Sequence, residues 1–399
     1  MNWSSSSLVL ATASNRIVTI GTQIVLGFLL VPAQLGEFAL ALAICNLSNF
    51  FQSADLSRVS LQNQSELSRD TATIRNLQML GCLLTWAGLW VFSAAFPPSV
   101  RPWFVLLLGG LPLLRVFNNG QVVLLSAAGR SVDVALATVA EGVTRGLVVV
   151  GGALAGYGAA ALVWGEVSAM LASTALLTRA QRPTFSANLV PSLALRAKLW
   201  KTGLSNILML VDRELPVFVV GALCSVAAAG SYAFGNRIAM QLSIIMVPMM
   251  VVETLPRLMT ARRESMARYR EIRRQERQRL LKWGLPAAVL LGAAAPLLML
   301  LVWGDRWRLA ALLTPFIVTS IAIRIGYGVL RAELEAAGRF DALLKLSAID
   351  AVLILVSLPT SAALGDVQGV VAATLLQAIL MSGLAHRVVS RERIPGAAS

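Results

Sequence analysis

Apolar residues dominate this chain in blocks about as long as a bilayer core is thick. A hydrocarbon layer of about 30 Å takes about 20 helical residues. On that scale the sequence predicts twelve spans, at 8–31, 37–61, 76–96, 102–127, 133–155, 158–178, 198–221, 226–255, 281–303, 308–335, 342–364 and 367–387. The third, ninth and twelfth are almost pure hydrocarbon and read as lipid-facing. The first, second, fourth, fifth, seventh, eighth and tenth carry polar residues at helical spacing and read as lining a polar interior. Thr12, Asn15, Arg16, Thr19, Thr22 and Gln23 form such a stripe in the first span, and Asn46, Asn49, Gln52 and Asp55 in the second.

Composition agrees with this class. The chain is 57% hydrophobic and only 14% charged, so the fold class is an all-α polytopic membrane protein. The net charge of +14 would suggest nucleic acid in a soluble chain, but its distribution follows the membrane instead. With the N-terminus in the cytoplasm, Arg101, Arg306 and Arg308 are the only basic residues in outside loops. The inside loops and tail collect Arg69, Arg75, Arg130, Arg179, Arg182, Arg196, Lys198, Lys201, Arg339, Lys345, Arg387, Arg391 and Arg393. They also hold the run Arg257–Lys282, with ten basic and three acidic residues. This positive-inside pattern puts both termini in the cytoplasm. The run reads as a partly helical cytoplasmic loop attracted to anionic membrane lipids, not to nucleic acid. Cys45, Cys82 and Cys224 show no paired spacing, and His386 stands alone, so neither a disulfide framework nor a metal site is expected. The start MNWSSSS lacks a basic n-region, so no cleavable signal is expected.

A repeat divides the chain. RVFNNGQVVLLSAAGRSVD begins at Arg115 and RIGYGVLRAELEAAGRFDA at Arg324. At one fixed offset Arg115 falls on Arg324, the AAGR of 127–130 on that of 336–339, and Glu141 on Asp350. Ser14-Asn15 is echoed by Ser205-Asn206, and GEFALA at 36–41 by GSYAFG at 230–235. The expected organisation is an N-terminal six-helix bundle (1–185), a cytoplasmic connector (186–197) and a C-terminal six-helix bundle (198–399) that carries the basic loop 257–282. Six spans per half preserve orientation, so the halves are expected to be related by a pseudo-two-fold axis along the membrane normal.

The charges inside the spans carry the chemistry. Arg16, Arg115, Arg145, Arg213, Arg237 and Arg324 all lie within apolar segments. An arginine at a helix centre costs about 2.5–3.5 kcal/mol on insertion scales, so each must face a protein interior or a wet cavity. Glu141 and Arg145, four apart with the acid first, read either as a helix-internal pair or as part of a functional site, and so do Arg331 and Glu335. Asp55 and Arg58 stand near a span's cytoplasmic end, and Glu166 either pairs across helices or carries a proton. Asp212 and Arg213 are adjacent, hence on different azimuths, and Pro216 predicts a kink beyond them. Arg16, Arg115, Arg237 and Arg324 have no acid three or four residues away on their own helices. These four are the candidate anion-binding residues, with cross-helix structural pairing as the alternative. A guanidinium offers a permanent charge and a planar fork of donors that suits phosphate. Asn118, Asn119, Gln121, Asn236 and Gln241 offer amides for sugar hydroxyls. Together they point to a phosphorylated glycolipid. Asp55, Glu141, Arg145, Asp212 and Asp350 are the candidate ion-coupling or ion-pair residues. No catalytic constellation and no cofactor are expected.

These residues stand in stretches that resemble a known family. SNRIVTIGTQIV in the first span and LGEFALALAICNLSNFFQSADLSRVSLQNQSELSRD through the second carry the likeness in the first half. GSYAFGNRIAMQLSIIMVPMM, LLMLLVWGDRWRLAALL and LEAAGRF carry it in the second. The chain resembles the O-antigen-type oligosaccharide flippases of the multidrug/oligosaccharidyl-lipid/polysaccharide (MOP) exporter superfamily, distant relatives of the lipid II flippase. The resemblance implies two six-helix bundles around a V-shaped cavity with alternating access. It implies an undecaprenyl-pyrophosphate-linked oligosaccharide as passenger, moved across the bacterial inner membrane, with Arg16, Arg237 and Arg324 at the pyrophosphate and coupling to an ion gradient or membrane potential. A polysaccharide polymerase and chain-length machinery are the further partners expected. Two alternatives compete: a cation-coupled multidrug exporter of the same superfamily, in which Asp55, Glu141, Asp212 and Asp350 would outweigh the arginines, and a membrane polysaccharide polymerase or ligase, which the short outside loops disfavour.

Overall fold

Helix is the only regular structure that satisfies every backbone group within one segment in lipid, and the computed structural model of the chain is helical accordingly. It describes residues 3–48, 67–96, 98, 100–182, 193–247, 257–258, 260–261, 264–336 and 339–390, and no strand occurs among them. In chain order the helices are α1 (Trp3–Leu29), α2 (Pro32–Ser48), α3 (Leu67–Val91), α4 (Pro102–Ala127), α5 (Ser131–Leu154), α6 (Ala159–Ala180), α7 (Leu193–Val219), α8 (Val226–Val247), α9 (Met266–Arg279), α10 (Leu285–Trp303), α11 (Arg308–Ala336) and α12 (Phe340–Ser390). Among the described residues, six helices are long and apolar enough to cross a membrane: α4, α5, α6, α9 continued into α10, α11 and α12.

The chain forms two units, Met1–Leu210 and Val211–Ser399. In the first, α5 packs against α1 and α6, and α4 against α2, α3 and α6. In the second, α11 is the hub, packed against α8, α10 and α12.

The close contact of α1 with α5 depends on small residues, as in other membrane helix pairs. A Cβ on Gly142 would lie 2.0 Å from Asn15 Oδ1, and one on Gly146 would lie 3.0 Å from both Thr22 Oγ1 and Val18 Cγ1. Gly142→Leu is therefore expected to overpack this seam by about 1–3 kcal/mol. Gly142→Ala, which only has to turn the Asn15 amide aside, should do less. Thermal unfolding of the purified protein in detergent checks the order, and equal midpoints for Gly142→Leu and the unmodified chain would refute it.

The sequence repeat has a structural counterpart inside each unit. At the end of α4 the Arg130 N–H donates to Leu125 O at 2.8 Å, and at the end of α11 the Arg339 N–H donates to Leu334 O at 2.9 Å. The two AAGR segments thus close their helices with the same reverse bond, the first through Gly129 at φ +72, as C-terminal helix caps require. The next turn repeats as well. Gly158, before α6, has φ 55 and ψ −128, and Asp366, which breaks α12 into arms 340–364 and 367–390, has φ 53 and ψ −149. Past Pro216, α7 widens into a π turn over Val220–Cys224. That turn packs against α8 and α12.

Candidate functional site

Arg324 lies in the middle of α11, and α7 and α12 supply its partners. Its guanidinium forms an ion pair with Asp212 of α7 through Nη1. Its Nη2 donates to Gln377 Oε1 at 3.3 Å. The Gln377 amide turns back to both acids, with Nε2 donating to Asp212 Oδ1 at 3.2 Å and to Asp350 Oδ1 at 2.6 Å. Asp350 stands on the first arm of α12 and Gln377 on the second, so the cluster ties α7, α11 and both arms of α12 together. It contains one cation and two carboxylates. In an apolar surrounding such a group is stable only as a fully bonded set, because removing one member leaves a charge that water cannot reach.

The cluster borders a cavity of about 290 Å³. Its polar lining comes from Asp212, Arg213, Asn236, Ser320, Arg324 and Thr374, and Pro216, Ile317 and Ile321 form apolar wall. A cavity with a guanidinium fork, an amide and two hydroxyls can hold an anion at one end and neutral oxygens at the other.

In the first unit a charged cluster has the same balance of one cation and two carboxylates. Arg145 Nη2 meets Glu141 Oε1 at 2.7 Å along α5, and its Nε lies 3.2 Å from Glu166 Oε1 of α6. One arginine is thus bracketed by two acids. Asn118 and Gln121 of α4 are buried. Asn118 Nδ2 reaches Met170 Sδ at 3.3 Å, whereas among the described residues neither end of the Gln121 amide meets a hydrogen-bonding partner.

The remaining candidates are placed as follows. Arg115 is half-buried on α4, and among the described residues no carboxylate pairs with it. Asn119 is exposed, while Arg237 is half-buried. The Gln241 amide donates to the Arg237 carbonyl at 3.1 Å on its own helix. Arg213 is 70% exposed and approaches Glu214 at 3.5 Å. Arg331 is held by Ser347 Oγ at 3.0 Å and by the Tyr327 ring, 5.7 Å from its centroid. Arg16 lies on α1; Asp55 lies outside the described residues.

Two expectations need correction. The twelfth span was expected to face lipid, yet while Leu376, Ile379 and Leu380 are exposed, Thr374 and Gln377 are buried, and Gln377 is the hub of the Arg324 cluster. A lone Gln in VVAATLLQAILMSG was the available signal. Arg75 was expected in a cytoplasmic loop. It instead lies in the first unit's interior with no exposed surface, 5.8 Å from the Phe117 ring centroid. Thr71, Arg75 and Gln78 share one buried face of α3, and their spacing of four and three residues was legible as that face.

Comparison with known proteins names the family. Residues 25–312 match the polysaccharide biosynthesis protein family Polysacc_synt_3, well over half of the chain. The chain belongs to this family. No curated protein matches its sequence. Among solved structures, the lipid II flippase MurJ in an inward closed conformation superposes with a TM-score of 0.75 at 11% identity, covering 96% of this chain and 87% of that one. A Vibrio cholerae MATE transporter, VcmN, gives a TM-score of 0.64 at 14% identity over 98% and 96% of the two chains. An inward-facing multidrug resistance MATE family transporter of the MOP superfamily gives 0.61 at 15% identity over 98% and 95%. The chain shares its fold with these MATE and MurJ structures.

Proposed function

We propose that the chain is a flippase that moves an undecaprenyl-pyrophosphate-linked oligosaccharide across the bacterial inner membrane by alternating access, for export of a surface polysaccharide. The twelve-helix arrangement in two bundles, the cytoplasmic termini and the association with polymerase and chain-length machinery belong to the same proposal. The observation that carries it is Arg324, a permanent cation deep in an apolar helix whose planar fork is turned to an acid beside a largely apolar cavity. Asp212 occupies on Arg324 the place that a phosphate oxygen would take. A pyrophosphate brings more charge and more oxygens than one carboxylate, so it can exchange with Asp212, while Gln377 and Asp350 keep the guanidinium oriented. Asn236, Ser320 and Thr374 then face the neutral part of the passenger.

The expected outcome is that Arg16, Arg115, Arg237 and Arg324, each changed to Ala, reduce complementation of a flippase-deficient strain, with surface polysaccharide as the readout. Full export in all four variants would dismiss the clamp. A second reading, a cation-coupled multidrug exporter, draws on the excess of carboxylate around Arg324, where Asp212 and Asp350 face one guanidinium. Resistance to cationic drugs on expression, lost in Asp212→Asn and Asp350→Asn but not in the arginine variants, would favour that reading instead.

A further inference from the structure

A second cavity, of about 620 Å³, opens in the first unit where the α1–α2, α3–α4 and α5–α6 turns meet. It has the size of a small-molecule site. The positive-inside pattern puts this end of the unit on the outer face of the membrane. Its walls are Trp103 and Trp164, with Tyr157 at the rim, 66% exposed. The two indoles stand 6.2 Å apart with planes inclined by 37°, making an open V rather than a stack. Trp103 is braced edge-on by Phe104 at 4.4 Å. The polar edge comes from Gln34 and Arg101. Gln34 Oε1 is engaged by the Val31 N–H at 3.2 Å, which fixes the amide, and its Nε2 sits against Gly158, where a Cβ would lie only 2.7 Å away.

The charge of this cavity decides what it can hold. Arg101 is its only cation, and Glu37 already answers it with a two-point contact, Nε to Oε1 at 3.0 Å and Nη2 to Oε2 at 3.2 Å. A third bond runs from the Arg101 N–H to the same carboxylate at 3.3 Å. Glu37 engages both Nε and Nη2 of Arg101, whereas Asp212 meets Arg324 through Nη1 alone, so Arg101 has less of its fork left for a phosphate headgroup than Arg324 has. What it offers instead is rigid, exposed π-faces beside hydrogen-bond donors. The axial C–H face of a pyranose lies flat on an indole while its equatorial hydroxyls reach sideways, and this cavity has both halves of that match. A belt of interfacial aromatics explains single Trp side chains, but it does not explain two inclined rings that line one cavity with an amide and a paired guanidinium.

We infer that this cavity is a saccharide-binding site that takes the leading sugars of the passenger on the outer face. The inference rests on the flippase reading for its passenger. The test uses the full-length protein in phosphatidylcholine nanodiscs and, as probe, the lipid-free oligosaccharide repeat released by mild acid from the host's surface polysaccharide. Saturation-transfer NMR is expected to give saturable binding that Trp164→Leu weakens about tenfold or more, as loss of an aromatic anchor does. Trp164→Phe, which keeps a ring, should restore most of it, and phosphatidylglycerol in the disc should leave it unchanged. Equal affinity in Trp164→Leu and the unmodified protein overturns the inference, as does displacement of the sugar by phosphatidylglycerol or absence of saturable transfer in the unmodified protein. The probe carries no phosphate, so its binding is independent of the arginine clamp. Normal export in the arginine variants with Trp164-dependent sugar binding would remove the clamp alone. Lost export with Trp164-independent binding would remove this site alone.

Discussion

Glu333→Ala is expected to release α9 from the second unit without unfolding the helices around it. The basis is a carboxylate that is 1% exposed and held by two arginines of one helix. Arg277 grips it with Nε on Oε1 and Nη2 on Oε2, both at 2.9 Å, and Arg273 Nε adds a third contact at 2.9 Å. The Tyr269 hydroxyl donates to the Glu333 carbonyl at 3.4 Å, and Arg257 pairs with Glu276 at 3.3 Å. Tyr269, Arg273, Glu276 and Arg277 form one face of α9, spaced by four, three and one residues, so a largely polar helix is docked by a charged seam beside a small apolar cluster of Tyr269 and Ile272 with Leu258 and Ala261. Removing one partner of a buried pair costs about 3–5 kcal/mol. The lower end applies here, because both arginines stay partly exposed and recover water when the acid is lost. A loss of about 3 kcal/mol raises the population with α9 detached roughly a hundredfold. Limited trypsin digestion should then cleave within 266–279 far faster in Glu333→Ala, with Glu333→Gln in between. Equal cleavage of Glu333→Ala and the unmodified chain would show that the seam is not what holds α9.

What could be read from the sequence, and what could not, follows from the range of each interaction. Arg145 announced one partner because Glu141 lies four residues away on the same helix. Its second, Glu166, is brought by the packing of α5 on α6 and has no local signature. Arg324 was conspicuous because charge inside hydrocarbon is expensive, yet Asp212 is 112 residues distant. Gln377 was hidden for another reason: one amide barely alters the hydropathy of a span, although its two donors and one acceptor can bridge a cation and two acids. Arg75 was misplaced because polar neighbours such as Arg69, Asp70 and Asn76 make the segment resemble a loop. The AAGR motif was visible as a repeated string, but its meaning as a helix-closing turn needed the backbone. Glu333, which clamps α9, had no signal beyond its place near a helix end.

The cluster at Arg324 admits a sharper test than single substitutions, because a clamp and a structural pair predict different double variants. Arg324→Gln leaves Asp212 and Asp350 sharing the Gln377 amide with no cation between them. A destabilisation on the order of 3 kcal/mol is expected, since only 26% of the Arg324 side chain and 16% of that of Asp212 are exposed. Asp212→Asn is expected to be milder, because Gln377 still meets Arg324 at 3.3 Å and Asp350 remains on the same amide. The double variant Arg324→Gln with Asp212→Asn removes that pair of charges together and should recover part of the stability, because Asp350, held by the Gln377 amide, is then the one charge left in the cluster. Thermal unfolding of the purified proteins measures this cycle. Export should not follow stability. If Arg324 holds pyrophosphate, both variants that lack it fail to export whatever their melting temperature, whereas Asp212→Asn, which frees the guanidinium, keeps substantial export. If the arginine serves only to neutralise Asp212, the stable double variant exports as well as the unmodified chain, and the clamp is lost as an explanation. Stability and export therefore separate on one pair of residues, and the double variant decides between the two roles.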